Sequence, residues 1–532
     1  MGIFGLKMKR IAIFQVLASL LYSTCVNSCF GLLYLPIYRC HPTYLVPTDH
    51  RNRRTHLSFS SILFFFVTSS TFMKMCRVKL TNNVALFVLI GLLFLSSSFE
   101  VCSAREGKHW GSNKASSRRQ MAARPRAGSS ATFNVLDYGA RGDGRTDDTK
   151  AFVAAWAAAC KVEASTVMVP SGSVFLVGPI SFSGPNCQPN IVFQLDGKII
   201  APTSSGAWGS GLLQWIEFTK LKGITIRGKG TIDGQGSVWW NDSPTFDPKA
   251  EDGTISTELG GKMPGTKPTA LRFYGSDGVI VTGITIQNSA QTHLKFDACT
   301  SVQVSGFSAS SPGNSPNTDG IHLQNSQDVV ISSTTLACGD DCVSIQAGCS
   351  NIYIHDVNCG PGHGISIGGL GRDNSKACVS NITVRDATMQ NTLTGVRIKT
   401  WQGGSGAVQQ VMFSNIQVSE VETPIMIDQF YCDKGSCKNQ SSAVAVSGIN
   451  YVNIRGTYTV QPVHFACSDS LPCSGVTLST IELKSVQENH RLGGPFCWET
   501  YGELKTATEP PINCLEIGKP SKAGTHSNFE SC

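Results

Sequence analysis

The sequence lacks an uninterrupted apolar run of the ~20 residues that a membrane-spanning helix requires. The segment from Val84 to Leu95 has only twelve residues, apolar apart from one glycine. Three basic residues between positions 74 and 79 precede it, and small residues ending at Ala104 follow it. A basic, an apolar and a small-residue stretch in this order are typical of a secretory signal. We therefore predict a cleaved leader, and a secreted, extracellular protein.

The leader does not begin the chain, which has to be explained. Met73 lies just before the basic residues, so we assign residues 73–104 to the signal peptide and residues 1–72 to an artefactual or alternative extension. The segment from Ile11 to Tyr22 could itself serve as a signal, and a membrane-anchored N-terminus is the other alternative. Residues 105–131 are rich in Gly, Ser and basic side chains and are predicted to be a flexible tail or pro-segment. Residues 132–532 form the folded domain.

The folded domain also lacks an excess of positive charge. The whole chain has a formal net charge of +7, but the net positive charge of residues 1–126 is larger than this total. The domain itself is therefore acidic. An acidic domain argues against a general nucleic-acid-binding protein.

No pair of Cys-x-x-Cys motifs and no Cys/His knuckle is present among the 20 cysteines. We therefore expect no metal and no cofactor. Fifteen cysteines lie at or beyond Cys160. This density behind a leader indicates an oxidising compartment and disulfide bonds. The odd number implies at least one free thiol or one intermolecular bond.

After a first amphipathic segment the domain has no long helical pattern. That segment contains Ala151, Phe152, Ala155, Trp156 and Ala159 behind Asp147 and Asp148, either of which can cap a helix. Short runs of β-formers then recur at Thr166–Val169, Ile191–Leu195, Ile224–Ile226, Val279–Val281, Val302–Val304, Val329–Ile331, Ile352–Ile354, Ile382–Val384, Val411–Phe413, Tyr451–Ile454 and Val476–Leu478. Such a repeat is typical of a solenoid. We predict an all-β fold, a single right-handed parallel β-helix with an N-terminal capping helix.

Polar motifs recur at nearly the same period as these runs. The sequence Asn-Thr-Asp-Gly ends at Gly320, Gly-Asp-Asp-Cys ends at Cys342, and Gly-His-Gly ends at Gly364. Asp319 and Asp340 are 21 residues apart, and Asp341 and His363 are 22 apart. Equivalent positions on successive coils lie ~4.8 Å apart. The spacing therefore predicts one patch that holds three carboxylates and an imidazole.

Carboxylates this close cannot all ionise freely, so the pKa of at least one is raised. A protonated acid beside an ionised carboxylate is what glycoside hydrolysis requires. Each motif alone is also a turn former. Together, in register with His363 and the Arg397-Ile-Lys399 run, they favour a catalytic site.

These four motifs resemble those of the polygalacturonases, glycoside hydrolase family 28, with the plant branch closest in wording. The resemblance extends from Thr132 to about Tyr458 and includes the runs Asp137–Ala140, Ile232–Gly234, Leu271–Phe273, Trp401–Gly404 and Asp428–Cys432. It implies a secreted hydrolase that cleaves α-1,4-galacturonosyl linkages of pectin by inversion and acts in cell wall modification. Endo and exo action both remain open.

The resemblance also implies roles for individual residues. Asp340 matches the general acid, and Asp319 and Asp341 match the pair that positions and deprotonates water. His363 matches the histidine that tunes the acid. Three further residues match binders of the substrate: Arg397, Lys399 and Tyr431.

Some neighbouring charges carry alternatives of their own. The two cations of the Arg397-Ile-Lys399 run share one face of a strand, and they could instead balance Asp340 and Asp341. Arg372 could reach a flanking sugar or be a solvated loop charge. His293 and His322 are expected to be structural.

Two other functions fit the fold. A pectate-lyase-like β-helix would bind Ca²⁺ through the aspartates and use an arginine as the base. A non-catalytic β-helix would only bind wall polysaccharide. The histidine and the Arg-x-Lys pair argue against the first, and the complete set of acid and base residues argues against the second.

The coil length predicts one disulfide bond, Cys342–Cys359, because the two residues are 17 positions apart and can face each other across a turn. Weaker proposals are Cys160–Cys187, Cys432–Cys437 and Cys467–Cys473. Three N-glycosylation sequons begin at Asn241, Asn381 and Asn439. We expect a monomer whose partner is a pectic polysaccharide.

Overall fold

The computed structural model describes residues 131–240, 263–433, 437–486, 493–520 and 532. The predicted extension, signal peptide, all but the last residue of the tail, and the sequon at Asn241 lie outside the described residues. Within them the chain folds as the predicted right-handed parallel β-helix. No helix in the described ranges is both long and apolar enough to cross a membrane.

The strands form two sheets that run along the axis of the β-helix. The eleven-stranded sheet contains Ile180–Ser183, Gln214–Thr219, Thr269–Tyr274, Leu294–Asp297, Ile321–Gln324, Val343–Ile345, Ile365–Leu370, Thr394–Thr400, Thr423–Asp428, Val463–Ala466 and Phe496–Trp498. The twenty-stranded sheet contains Thr132–Asn134, Asp143–Asp147, Thr166–Val169, Val174–Leu176, Ile191–Leu195, Lys198–Ile200, Lys222–Arg227, Thr231–Asp233, Asp277–Thr282, Thr285–Gln287, Thr300–Ser305, Ser308–Ser310, Gln327–Ala337, Cys349–Cys359, Lys376–Gln390, Ser405–Val421, Ala445–Tyr458, Cys473–Ser485, Thr500–Leu504 and Glu516–Ile517. Every run of β-formers identified in the sequence lies in the second of these sheets.

Neighbouring strands pair in parallel, so equivalent residues of successive coils stack. In the eleven-stranded sheet Val343 is the partner of Ile365, and Ile365 is the partner of Val396. An aromatic row points inward near the N-terminal end, where the ring centroids of Phe218 and Phe273 are 5.4 Å apart. The rings of Phe273 and Phe296 follow at 5.2 Å. Such stacking joins the coils into one continuous apolar core.

The predicted capping helix is present as α1 (Thr149–Ala159), and its apolar face is buried. The Trp156 ring packs 5.0 Å from the ring of Phe182, so α1 covers the first open coil. Asp147 accepts a hydrogen bond from the Thr149 N–H and caps the helix. Asp148 occupies the N-cap position but accepts from the Arg141 N–H instead. The other short helical segments are Val135–Tyr138, Ser205–Trp208, α2 (Ser237–Trp240) and Arg372–Asn374.

The structure contains all four of the disulfide bonds proposed from the sequence, Cys160–Cys187, Cys342–Cys359, Cys432–Cys437 and Cys467–Cys473. It adds Cys497–Cys514 and Cys378–Cys532, and the latter joins the last residue to a strand 154 positions earlier. Among the cysteines that the structure describes, three buried ones are free, Cys299, Cys338 and Cys349.

Two of the sequon asparagines lie within the described ranges, and both are exposed. Asn439 lies in a loop. Asn381 lies in a strand, and its Nδ2 donates a hydrogen bond of 2.8 Å to Asn351 Oδ1 of the preceding coil. The Asn381 amide is therefore already hydrogen-bonded in the folded protein, whereas no such bond from Asn439 to another described residue is present. We expect glycosylation at Asn439 in preference to Asn381.

Candidate active site

A row of polar side chains occupies the outward face of the eleven-stranded sheet. The row follows the strand register, with each residue a Cα partner of the next: Glu217, Arg272, Lys295, His322, Ser344, Ser366 and Arg397. Successive side chains of a strand point to opposite faces, so these residues alternate with the inward apolar ones. Four of them, Glu217, Ser344, Ser366 and Arg397, are nevertheless buried.

The three aspartates lie just before two adjacent strands of this sheet. Asp319 precedes Ile321–Gln324, and Asp340 and Asp341 precede Val343–Ile345. Because these strands pair directly, the predicted clustering of the carboxylates follows from the register. The turn before Asp340 is tight: a Cβ on Gly339 would lie 1.9 Å from the backbone oxygen of Ser315.

Asp340 is held by two neighbours. Its Oδ1 lies 2.9 Å from His363 Nδ1, and its Oδ2 accepts a hydrogen bond of 3.2 Å from Asn317 Nδ2. Burial alone would raise the pKa of Asp340, but the hydrogen bond and charge of His363 lower it below its usual value. His363 sits in a close backbone approach, because Gly364 has a φ of +85° and a Cβ there would meet Thr394 O at 2.0 Å.

Both carboxylate oxygens of Asp341 accept hydrogen bonds from charged or polar side chains. Its Oδ1 accepts from Arg397 at 2.7 Å and from Ser366 Oγ at 2.7 Å, and its Oδ2 accepts from Lys399 Nζ at 2.8 Å. The two cations therefore balance a buried carboxylate, as one of the two sequence interpretations held. Lys399 also borders the cleft, whereas Arg397 lies behind it.

Asp319 has a different environment again. Its Oδ2 lies 2.8 Å from His322 Nδ1, and its backbone oxygen is contacted at 2.8 Å by His293 Nδ1. Burial raises the pKa of Asp319 well above its usual value, and the charges of Asp340 and Asp341 raise it further. These surroundings therefore favour the protonated form of Asp319.

His293 and His322 were both expected to be structural, but only His322 lines the cleft. His293 is buried between Asp319 O and Ser311 Oγ, and burial lowers its pKa to about 4. His322 borders the cleft and contacts the Asp319 carboxyl. Sequence reasoning missed its position because only the strand register places it on the outward row.

The aspartates open into a cleft with a volume of about 450 Å³. Its walls include Lys295, Asp319, His322, Asp340, Asp341, Arg372, Lys399, Trp401 and Tyr431. The Tyr431 ring lies 5.3 Å from Lys399 Nζ and 5.4 Å from the Trp401 ring. Arg372 lies over Trp401 at 5.1 Å and pairs with Asp433 at 3.3 Å. Arg372 thus belongs to the cleft wall, although its side chain is half exposed.

A divalent cation is the other ligand that clustered carboxylates can attract. The ligand atoms of Asp340, Asp341 and His363 lie within 4.8 Å of one another. Both oxygens of Asp341 already bind cationic side chains, however, and those charges repel a metal ion. The donor set therefore suits proton transfer better than Ca²⁺ binding.

Comparison with known proteins agrees with this chemistry. The family described as glycosyl hydrolases family 28 matches residues 160–492. A polygalacturonase from Cryptomeria japonica is 45% identical over 354 residues, which cover 66% of this chain and 67% of that protein. A probable polygalacturonase from Arabidopsis thaliana is 40% identical over 398 residues, 74% of this chain and 86% of that protein. The solved structure of an endo-xylogalacturonan hydrolase from Aspergillus tubingensis shares the fold, with a TM-score of 0.57 at 23% identity over 70% of this chain and 100% of that one.

Proposed function

This chain belongs to the glycosyl hydrolases of family 28, and we infer from its cleft how it degrades pectin. It is a pectin-degrading glycoside hydrolase, a polygalacturonase. The mechanism is inferred from one observation: three adjacent carboxyls have different partners and different pKa shifts. Asp341 is ion-paired, Asp319 has a raised pKa, and Asp340 shares a hydrogen bond with His363.

We propose that Asp340 is the general acid and that His363 stores its proton. Burial opposes the ionised form of Asp340, but the hydrogen bond and charge of His363 favour it. One proton then lies in the hydrogen bond between Asp340 Oδ1 and His363 Nδ1. Transfer of that proton to the carboxyl makes Asp340 neutral and able to protonate the leaving glycosidic oxygen. His363 Nδ1 contacts the Asp340 carboxyl at 2.9 Å, so it acts through that carboxyl.

Asp319 is the proposed base that activates water. It must first lose the proton that burial favours, and an ionised Asp319 then accepts a proton from the attacking water. Asp341 contributes a fixed negative charge and positions Arg397 and Lys399. Lys399, at the cleft wall beside Tyr431, is the proposed contact for the galacturonate carboxylate.

Inversion is the stereochemical part of the proposal, since a separate acid and water-activating base give a single displacement. Proton NMR of the first turnovers on oligogalacturonate tests it, with the β-anomer expected from an α-linkage. An initial α-anomer would mean retention.

The same digest separates hydrolysis from lyase chemistry. Hydrolysis gives saturated reducing ends and is insensitive to chelator, whereas a pectate-lyase-like reaction gives unsaturated product and needs Ca²⁺. Fully methyl-esterified pectin should be a poor substrate, because an ester cannot form the ion pair with Lys399. Equal rates on esterified and de-esterified pectin would contradict the role of Lys399.

We further propose that the enzyme is a secreted monomer of the cell wall. The density of disulfide bonds supports an oxidising compartment. N-terminal sequencing of the protein recovered from the wall tests the cleavage after Ala104. Sedimentation velocity measures the oligomeric state, for which a single species near the monomer mass is expected.

A further inference from the structure

Lys295 lies on the cleft wall in a part of the site to which no role has been given. It belongs to the strand Leu294–Asp297, which pairs with the strand that follows Asp319. Lys399 belongs to Thr394–Thr400, on the other side of the two strands that follow the aspartates. The two lysines thus stand at opposite ends of the same cleft.

Within the described ranges the ammonium group of Lys295 forms no ion pair, whereas Arg397 and Lys399 are paired with Asp341. The acidic groups near Lys295 are occupied, since Asp297 pairs with Arg272 at 2.6 Å and Asp319 contacts His322. Partial burial lowers the pKa of Lys295, as expected for a cation withdrawn from water.

An unpaired, partly buried cation is costly, and an anionic group of the substrate can offset that cost by a charge-assisted hydrogen bond. We propose that Lys295 binds the carboxylate of a second galacturonate unit, on the Asp319 side of the cleft. The inference rests on the proposed function and extends it from one carboxylate-binding position, at Lys399, to two. It explains why a lysine is left without a partner among acidic neighbours.

The spacing of the two positions fits a polymer. The strands of Lys295 and Lys399 are four steps apart, or ~19 Å at the backbone. A chain of several sugar units fills such a span, so the two lysines contact different units of one chain. Gln291, Thr292 and Gln324 border the cleft near Lys295 and can bind neutral hydroxyl groups. The enzyme would then prefer pectin in which free carboxylates occur in blocks.

The test compares wild type with Lys295→Met, Lys295→Arg and Lys222→Met on polygalacturonate. Methionine keeps an unbranched side chain but removes the charge, and arginine restores the charge. Lys222 is exposed on the twenty-stranded sheet, so its replacement removes one charge away from the cleft. We expect Lys295→Met to raise KM about 10- to 100-fold with little change in kcat. Lys295→Arg should recover most of this loss, and Lys222→Met should behave as wild type.

A second measurement keeps the inference testable if turnover is altered for other reasons. Binding of a galacturonate oligomer and of its fully methyl-esterified form is measured by calorimetry on Asp340→Asn, which does not turn the oligomer over, and on the same variant carrying Lys295→Gln. The substitution should weaken binding of the acid form and leave binding of the ester unchanged. Equal loss for both forms, or no loss for either, would overturn the role of Lys295. A wild-type enzyme that releases no reducing ends from polygalacturonate would instead contradict the proposed function.

Discussion

His322 Nδ1 lies 2.8 Å from Asp319 Oδ2, and both groups are shifted away from the charged forms of an ion pair. Burial raises the pKa of Asp319, and burial together with the charge of Lys295 lowers the pKa of His322 to about 3. A neutral carboxyl beside a neutral imidazole is therefore favoured. Because the proposed base must be ionised, the pKa of Asp319 should set the acid limb of activity.

The first prediction is that His322→Gln moves the acid limb of the kcat/KM profile to lower pH. A glutamine amide can donate a hydrogen bond to ionised Asp319, which favours the charged form and lowers its pKa. A neutral imidazole that accepts from Asp319 does the opposite. The profile is measured on polygalacturonate, with His464→Gln on the same row beyond the cleft as the matched control. An unshifted limb would show that another group controls it.

The second prediction concerns the acid. Asp340→Asn should lower kcat on polygalacturonate by roughly 10²–10⁴-fold, with oligogalacturonate binding largely retained, because the amide keeps the shape but cannot donate the proton. The loss should be much smaller on an aryl galacturonide whose leaving group needs no protonation. Asp319→Asn should be equally inactive on both substrates, since water activation is still missing. If the two variants exchange these behaviours, Asp319 is the acid and Asp340 the base.

The third prediction is about stability. Arg397→Ala leaves the buried Asp341 with one cation in place of two, and breaking such a pair costs about 3–5 kcal/mol of the free energy of unfolding. Adding Asp341→Asn should recover part of that loss, because the uncompensated charge is then removed. Urea unfolding measures both effects. Arg385→Ala, which removes an exposed pair with Asp386 and a contact with Tyr353, should cost much less than Arg397→Ala.

The fourth prediction is a pH dependence of folding. The folded-state pKa of His293, about 4, lies below the value of 6.5 for an unperturbed histidine. Between these values the unfolded chain binds the proton and the folded chain does not, so His293 makes the free energy of unfolding fall as pH falls from 6.5 to 4. The slope from this residue is at most ~1.4 kcal/mol per pH unit. His293→Gln should flatten the urea-derived profile in this window, and an unchanged slope would contradict the assignment.

The sequence predicted the parts of the molecule in which local pattern and structure agree. The alternating β-former runs identified the twenty-stranded sheet, in which strands such as Lys222–Arg227 and Asp277–Thr282 alternate between buried and more exposed residues. The strand Thr394–Thr400 of the eleven-stranded sheet gave no such signal, since every one of its residues is buried. Its position was predicted only through the polar motifs, whose period matches the coil.

What the sequence could not predict depends on which side chains meet across coils. Arg397 and Lys399 were correctly placed on one face, but only the packed structure shows both on Asp341 and only Lys399 at the cleft. Lys295 and His322 stand side by side through the strand register, which no motif records. The different burial and partners of the carboxyls, which raise the pKa of Asp319 and lower that of Asp340, also follow from contacts across coils.

The bond between Cys378 and Cys532 has a consequence for how the protein can come apart. A stack of repeats frays from its ends, because a terminal coil has a neighbour on one side only. Helix α1 covers the first coil, and the bond between Cys378 and Cys532 joins two positions 154 residues apart into a covalent ring. The coils within this ring stay linked to one another even when the hydrogen bonds between them open. Because a ring of this kind restricts the unfolded chain, reducing the bond should lower the free energy of unfolding by roughly 2–4 kcal/mol.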